Sequence, residues 1–86
     1  MSYSVEFKPQ SIKQLEKIDS TIQSRIIKKL RWLEINIKNV TPLSLTGNLS
    51  DFYKLRIGDY RVIYTLNHEE KIITIHEIGH RREIYE

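Results

Sequence analysis

The chain has 86 residues, 40% of them hydrophobic and 29% charged, which allows one small folded domain and argues against disorder. It has no cysteine, so disulfide scaffolds, cysteine–zinc sites and thiol catalysis are excluded. Fourteen Lys and Arg against eleven Asp and Glu leave a net charge of +3, compatible with a nucleic-acid partner. No apolar run approaches the roughly 18 residues of a membrane span, and the first residues lack a signal-peptide core, so no membrane association and a cytoplasmic location are expected.

Tyr3, Val5 and Phe7 alternate with Ser4, Glu6 and Lys8, the period of a strand. Pro9 ends it and suits the first turn of a helix, along which Ile12, Leu15 and Ile18 recur. Asp19 and Ser20 interrupt, and Ser20-Thr21-Ile22-Gln23 matches a capping box for a second helix. Its apolar stripe is Ile22, Ile26, Leu30, Leu33 and Ile37, widened by Ile27 and Trp32. Asn36, Asn39 and Pro42 mark its end, so residues 9–39 read as a helical hairpin. Residues 40–50 read as a loop. Strands follow from Phe52 to Ile57 and from Tyr60 to Leu66, around the two-residue turn Gly58-Asp59. A third runs from Lys71 to Ile78 after the turn Asn67-His68-Glu69-Glu70, with Gly79 as its end. The expected class is α+β: one β-α-α-β-β-β domain over residues 1–86, a helical hairpin packed on a small antiparallel-rich sheet.

A two-residue turn fixes register. Ile57 falls opposite Tyr60, Arg56 opposite Arg61, Leu55 opposite Val62 and Lys54 opposite Ile63. Tyr53, Leu55, Ile57, Tyr60, Val62 and Tyr64 then share the face under the helices, while Lys54, Arg56, Arg61 and Ile63 share the other. Continuing across a four-residue loop at 67–70 adds Ile73 and Ile75 to the apolar face and sets His76 opposite Arg61. Like charges directly opposite on a sheet are destabilising. An anionic ligand is the simplest reason to keep Arg56 against Arg61. A solvated face neutralised by Glu77 or Asp59 is the competing explanation. The tail His80-Arg81-Arg82-Glu83-Ile84-Tyr85-Glu86 is delivered to the same edge. Arginine forks bind phosphate, and tyrosine or histidine can move protons, a combination suited to phosphodiester chemistry. His68 reads as solvent-exposed, and three histidines on different elements make no metal site.

The run Tyr53-Lys54-Leu55-Arg56-Ile57-Gly58-Asp59-Tyr60-Arg61-Val62-Ile63-Tyr64, followed by Ile78-Gly79-His80-Arg81-Arg82-Glu83-Ile84-Tyr85, resembles the RelE/ParE superfamily of toxins from type II toxin–antitoxin systems. The resemblance covers nearly the whole chain and favours the RelE branch, the mRNA interferases. It implies a ribosome-dependent endoribonuclease that cleaves mRNA in the A site without metal or other cofactor, the RNA 2′-OH attacking the adjacent phosphorus. By position it implies Lys54, Arg56, Arg61, Arg81 and Tyr85 as the catalytic set. Tyr85 is the first candidate for the general base and Lys54 the second, with His80 and His76 as further possible acids or bases. Arg61 and Arg81 would hold the phosphate, and Arg56 would share that charge or supply the leaving-group proton indirectly. Arg25, Lys28, Lys29 and Arg31 on the second helix, with Arg82 in the tail, are candidate RNA or ribosome contacts. A solvated helix face explains the four helical residues equally well. The implied partners are the ribosome, mRNA and a cognate antitoxin, RelB-like or other. The ParE branch, which shares the fold and poisons DNA gyrase, and a non-catalytic binding module are the alternatives.

Overall fold

The computed structural model describes residues 3–40, 43–44, 51–80 and 82. Arg81 and Tyr85, both expected at the site, and most of the expected 40–50 loop lie outside them. Strand β1 (Ser4–Phe7) leads to helix α1 (Pro9–Glu16), helix α2 (Ser20–Asn36) and a short 3₁₀ turn (Ile37–Asn39). Strands β2 (Leu43–Ser44), β3 (Tyr53–Ile57), β4 (Tyr60–Asn67) and β5 (Ile72–His80) follow. The sheet order is β1-β5-β4-β3-β2. Among the described residues the β1–β5 pair is parallel and the other pairs are antiparallel. The expected α+β arrangement is therefore present, with one addition: the expected loop contributes the two-residue strand β2, paired to β3 at Lys54 and Tyr53.

Helix α1 starts at Pro9, whose missing N–H would be unpaired in the first turn in any case. Helix α2 is capped differently from the expected box. Asp19 is the N-cap, and its carboxylate accepts from the Thr21 N–H at 3.0 Å. The Gln23 side chain donates instead to the carbonyls of Leu15 and Ile18, at 2.8 and 2.7 Å. It thus satisfies carbonyls at the end of α1 and ties the two helices at their turn.

Ile26, Leu30, Leu33 and Ile37 bury one stripe of the hairpin against Val62, Tyr64, Ile73, Ile75 and Ile78. Tyr53, Leu55, Ile57 and Tyr60 pack around them, so the apolar face is the one expected. Ile12, expected on the apolar side of α1, is exposed, as is Trp32, which lies beneath the Lys29 ammonium at 3.9 Å. Helix α1 spans only two turns, and Leu15 with Ile18 is enough to anchor it.

The β3–β4 register is the expected one, Arg56 opposite Arg61 and Lys54 opposite Ile63. Gly58 has φ +58°, while Asp59 keeps a negative φ, the pattern of a type II′ hairpin turn. A Cβ on Gly58 would meet nothing within 4 Å. Gly58→Ala is therefore expected to cost about 1–2 kcal/mol through backbone conformation alone. Urea denaturation reads this as a lower midpoint at unchanged slope.

The β4–β5 register differs from expectation in two steps. The strands extend to Asn67 and Ile72, which moves the loop to residues 68–71, with Lys71 at φ 58°. A bulge then falls between Ile63 and Tyr64: Tyr64 faces Ile75 but Ile63 faces Glu77, leaving His76 as the extra residue. Arg61 consequently lies opposite Gly79 and not His76. Gly79 does not end the strand, which continues to His80 opposite Tyr60. The bulge has a packing cause. Ile75 and Ile78 are three positions apart, an odd offset, and only an inserted residue puts both on the helix face.

Candidate functional site

The sheet face away from the helices carries three rows. Arg56, Arg61 and Gly79 form the row nearest the hairpin turn; Lys54, Ile63 and Glu77 form the next. Phe52, Thr65 and His76 lie at the third, where Phe52 packs on Ile63 and the His76 Nε2 meets the Thr65 hydroxyl at 2.8 Å. Rows on one face are two residues apart, about 7 Å. In a two-residue hairpin the pair after the turn-flanking one is not hydrogen-bonded, so its Cα atoms approach to about 4.5 Å. Arg56 and Arg61 occupy that close pair.

Arg61 is half-buried with its Nε out of solvent, and Arg56 is exposed. Beside them Lys54 titrates below the ordinary lysine value, first through partial desolvation, then through repulsion from Arg61 and Arg56. The sheet therefore makes neutral amine more accessible at Lys54 than at a solvated lysine. Two guanidinium groups and this amine on one open surface can bind a phosphodiester and accept a proton from a hydroxyl beside it.

The histidines are distributed otherwise than expected. His76 is on the open face but at the Phe52 end, with ring centroids 5.1 Å apart. His80 pairs with Tyr60, which packs on the helix-side core, so it sits on the opposite face from Arg61; its ring meets Tyr60 at 5.5 Å and its Nδ1 accepts from the Arg82 N–H at 3.2 Å. His68 is exposed as expected, yet its Nδ1 is bonded to the Tyr3 hydroxyl at 2.6 Å. Among the described residues no three His, Cys, Asp or Glu side chains gather as a metal site.

The second basic set lies elsewhere. Arg25, Lys28 and Arg31 are exposed on α2, and Lys29 covers Trp32. Because α2 packs on the other side of the sheet, these residues do not converge with Lys54 and Arg61. Arg82 is exposed just beyond β5. Sequence reasoning missed Lys8 and Glu77 as neighbours of His76. The parallel placement of β1 beside β5 brings Lys8 there, and its N–H bonds to the Ile75 carbonyl at 2.9 Å.

His76 titrates below the ordinary histidine value because of desolvation and the nearby Lys8 charge, opposed by Glu77. The unfolded chain therefore binds the proton more readily than the folded one. The stability this provides is complete above about pH 6.5 and is lost as pH falls from there through the folded value. The expected result is a shallower decline in urea midpoint below pH 6.5 for His76→Gln than for the wild type. Parallel slopes for the two proteins would exclude this linkage.

Comparison with known proteins agrees with the fold. The family model for the ParE toxin of type II toxin–antitoxin systems (parDE) matches residues 5–85. A RelE-like toxin protein of Escherichia coli is 32% identical over 83 residues, covering 94% of this chain and 85% of its own. The archaeal RelE–RelB complex from Pyrococcus horikoshii OT3 contains a chain that is 32% identical, with a TM-score of 0.73 and coverage of 98% here and 100% there. The toxin–antitoxin complex RelBE2 of Mycobacterium tuberculosis shares the fold at a TM-score of 0.85 and 23% identity, covering 94% of this chain and 100% of that one. With a family match over nearly its whole length and relatives above 30% identity, the chain belongs to the RelE/ParE superfamily, as a toxin of a type II toxin–antitoxin system.

Proposed function

We propose that this toxin is a ribosome-dependent mRNA endoribonuclease, working by metal-independent transesterification. The observation that carries this reading is Lys54, with its lowered pKa, beside Arg56 and Arg61 on the uncovered face of the sheet. The mRNA 2′-OH gives its proton to the neutral Lys54 amine as the 2′-oxygen attacks phosphorus. The bond from phosphorus to the 5′-oxygen breaks, and that oxygen takes the phenol proton of Tyr85. A 2′,3′-cyclic phosphate and a 5′-hydroxyl result. Arg61 and Arg81 bind the phosphate and, with Arg56, offset the charge that grows on its oxygens in the transition state. Assigning Lys54 as base and Tyr85 as acid follows their chemistry: a lowered lysine reaches its neutral form more readily, whereas a phenol is protonated at pH 7.

The exposed bases of α2, with Arg82, would meet ribosomal RNA phosphates, a salt-sensitive contact. A RelB-like antitoxin is the proposed partner, by likeness to the RelE–RelB complexes. It would lay a helix or strand over the toxin and cover the basic face. A second reading, poisoning of DNA gyrase, is favoured by the ParE family match. Extracts of cells expressing the toxin separate the two. Ribosome-dependent codon cleavage with cyclic-phosphate ends supports the first, and gyrase-linked DNA breaks support the second. Neither product would leave a non-catalytic module of the same fold.

A further inference from the structure

The open face carries a feature that phosphate chemistry does not use. Phe52 and Ile63 form a small apolar cluster separate from the main core, on the same surface as Lys54, Arg56 and Arg61. His76 stands edge-on to Phe52, its Nε2 fixed by Thr65. Beyond them lies a cavity of about 530 Å³ lined by Lys8, Pro9, Gln10, Phe52, His76 and Glu77. That volume falls within the range of small-ligand sites. Its chemistry is mixed: two aromatic rings, one ammonium and one carboxylate. Glu77 Oε1 accepts a long bond of 3.4 Å from the Gln10 amide, and a carboxylate has further lone pairs that can accept.

From this juxtaposition we propose that the Phe52–His76 cavity is a nucleobase subsite, holding a base next to the scissile phosphate and selecting one that carries an exocyclic amine. The base stacks on Phe52, aromatic stacking being the usual platform for an unpaired base. Glu77 accepts a hydrogen bond from the amine, present on adenine, cytosine and guanine and absent from uracil. Lys8 supplies charge for the phosphate of the same nucleotide. The Glu77 carboxylate argues against the cavity as a phosphate site in its own right. The third row lies about 7 Å from the Lys54 row, near enough for a neighbouring nucleotide. This inference rests on the mRNA-cleavage reading, and it adds the determinant of base preference.

Two measurements test it. The first is single-turnover cleavage on ribosomes programmed with A-site codons that place each of the four bases in turn at each position. Phe52→Leu is expected to lower kcat/KM by about 5–150-fold, and Phe52→Trp to restore it. Glu77→Gln is expected to narrow the preference for amine-bearing bases over uracil by about tenfold, because the new amide can also donate to the uracil carbonyl. The second is an NMR titration of the free toxin with uncleavable 2′-O-methyl trinucleotides, following the Phe52 and His76 ring protons. These should shift in the wild type and not move in a titration of Phe52→Leu followed at His76. Ring shifts without any codon cleavage would retain the subsite and remove the ribonuclease reading. Codon cleavage that neither Phe52→Leu nor Glu77→Gln alters, with unmoved ring protons, would overturn the subsite and retain the ribonuclease.

Discussion

Lys54→Met is expected to lower single-turnover mRNA cleavage on programmed ribosomes by about 10²–10⁴, the range for a lost general acid or base. Methionine keeps the apolar stem and removes the amine. Folding should not suffer, because the folded sheet disfavours the charged lysine beside Arg61 and Arg56. The sign of that linkage is definite. With its folded pKa below the unfolded one, charged Lys54 opposes folding at neutral pH, and the opposition disappears only as pH rises through both values. A variant that cleaves poorly and is no less stable would separate a chemical role from a structural one. The pH–rate profile sharpens the test. A lysine base acts when neutral, so the rate rises with pH along a limb set below the usual lysine value. Lys54→Met removes this limb. Arg56→Ala or Arg61→Ala removes part of the repulsion and moves the limb to higher pH. The shift is partial, since desolvation is the larger cause. Lys54→Met with wild-type cleavage and an unchanged profile would dismiss Lys54 as the base.

The charged pair was legible because a two-residue turn leaves little freedom. Once Gly58 and Asp59 are the loop, alternation alone places Lys54, Arg56 and Arg61 together and Leu55 beneath the helices. The position of His76 was not reached by the same arithmetic. Loop length and bulges enter as whole-residue shifts, and here the loop moved and one residue was inserted. The signal for the insertion was present: Ile73 and Ile75 alternate correctly, and Ile78 breaks phase. Treating all three as core residues would have required the bulge. The Lys8–His76 proximity had no local signal. It depends on β1 entering parallel to β5, a pairing between residues far apart in sequence. The capping of α2 misled for another reason. Gln23 can bond back to its own N-terminus or across to a neighbouring helix, and the adjacent end of α1 offered the carbonyls of Leu15 and Ile18 as acceptors. The result is a face on which the row of Lys54, Arg56 and Arg61 follows from the sequence, while the row of Phe52 and His76 depends on tertiary placement.

Tyr85→Phe is expected to lower cleavage by a similar factor, about 10²–10⁴, through loss of the proposed proton donor. The substitution removes one oxygen and keeps the ring, so packing and stability should hardly change. Reach is sufficient. Strand β5 holds His80 in place opposite Tyr60, one residue beyond the Gly79–Arg61 pair. Five further residues span at most about 18 Å, more than the width of the three rows. The phenol's ordinary pKa is about 10. A donor of this kind is protonated at neutral pH and improves as its pKa approaches the working pH. The profile should then fall at alkaline pH, and Tyr85→Phe should abolish the fall while leaving the rising limb attributed to Lys54. The two limbs belong to the coupled pair, so the comparison must be between variants and not between assigned values. Ribosome affinity measured in parallel guards against a binding defect. A Tyr85→Phe toxin that binds and cleaves like the wild type would end the proton-donor role. His76 and His80 would then be the candidates, and for His76 the limb would lie below the ordinary histidine value. His76 starts with an advantage over His80, since it shares the open face with Lys54, whereas His80 lies on the helix side with Tyr60.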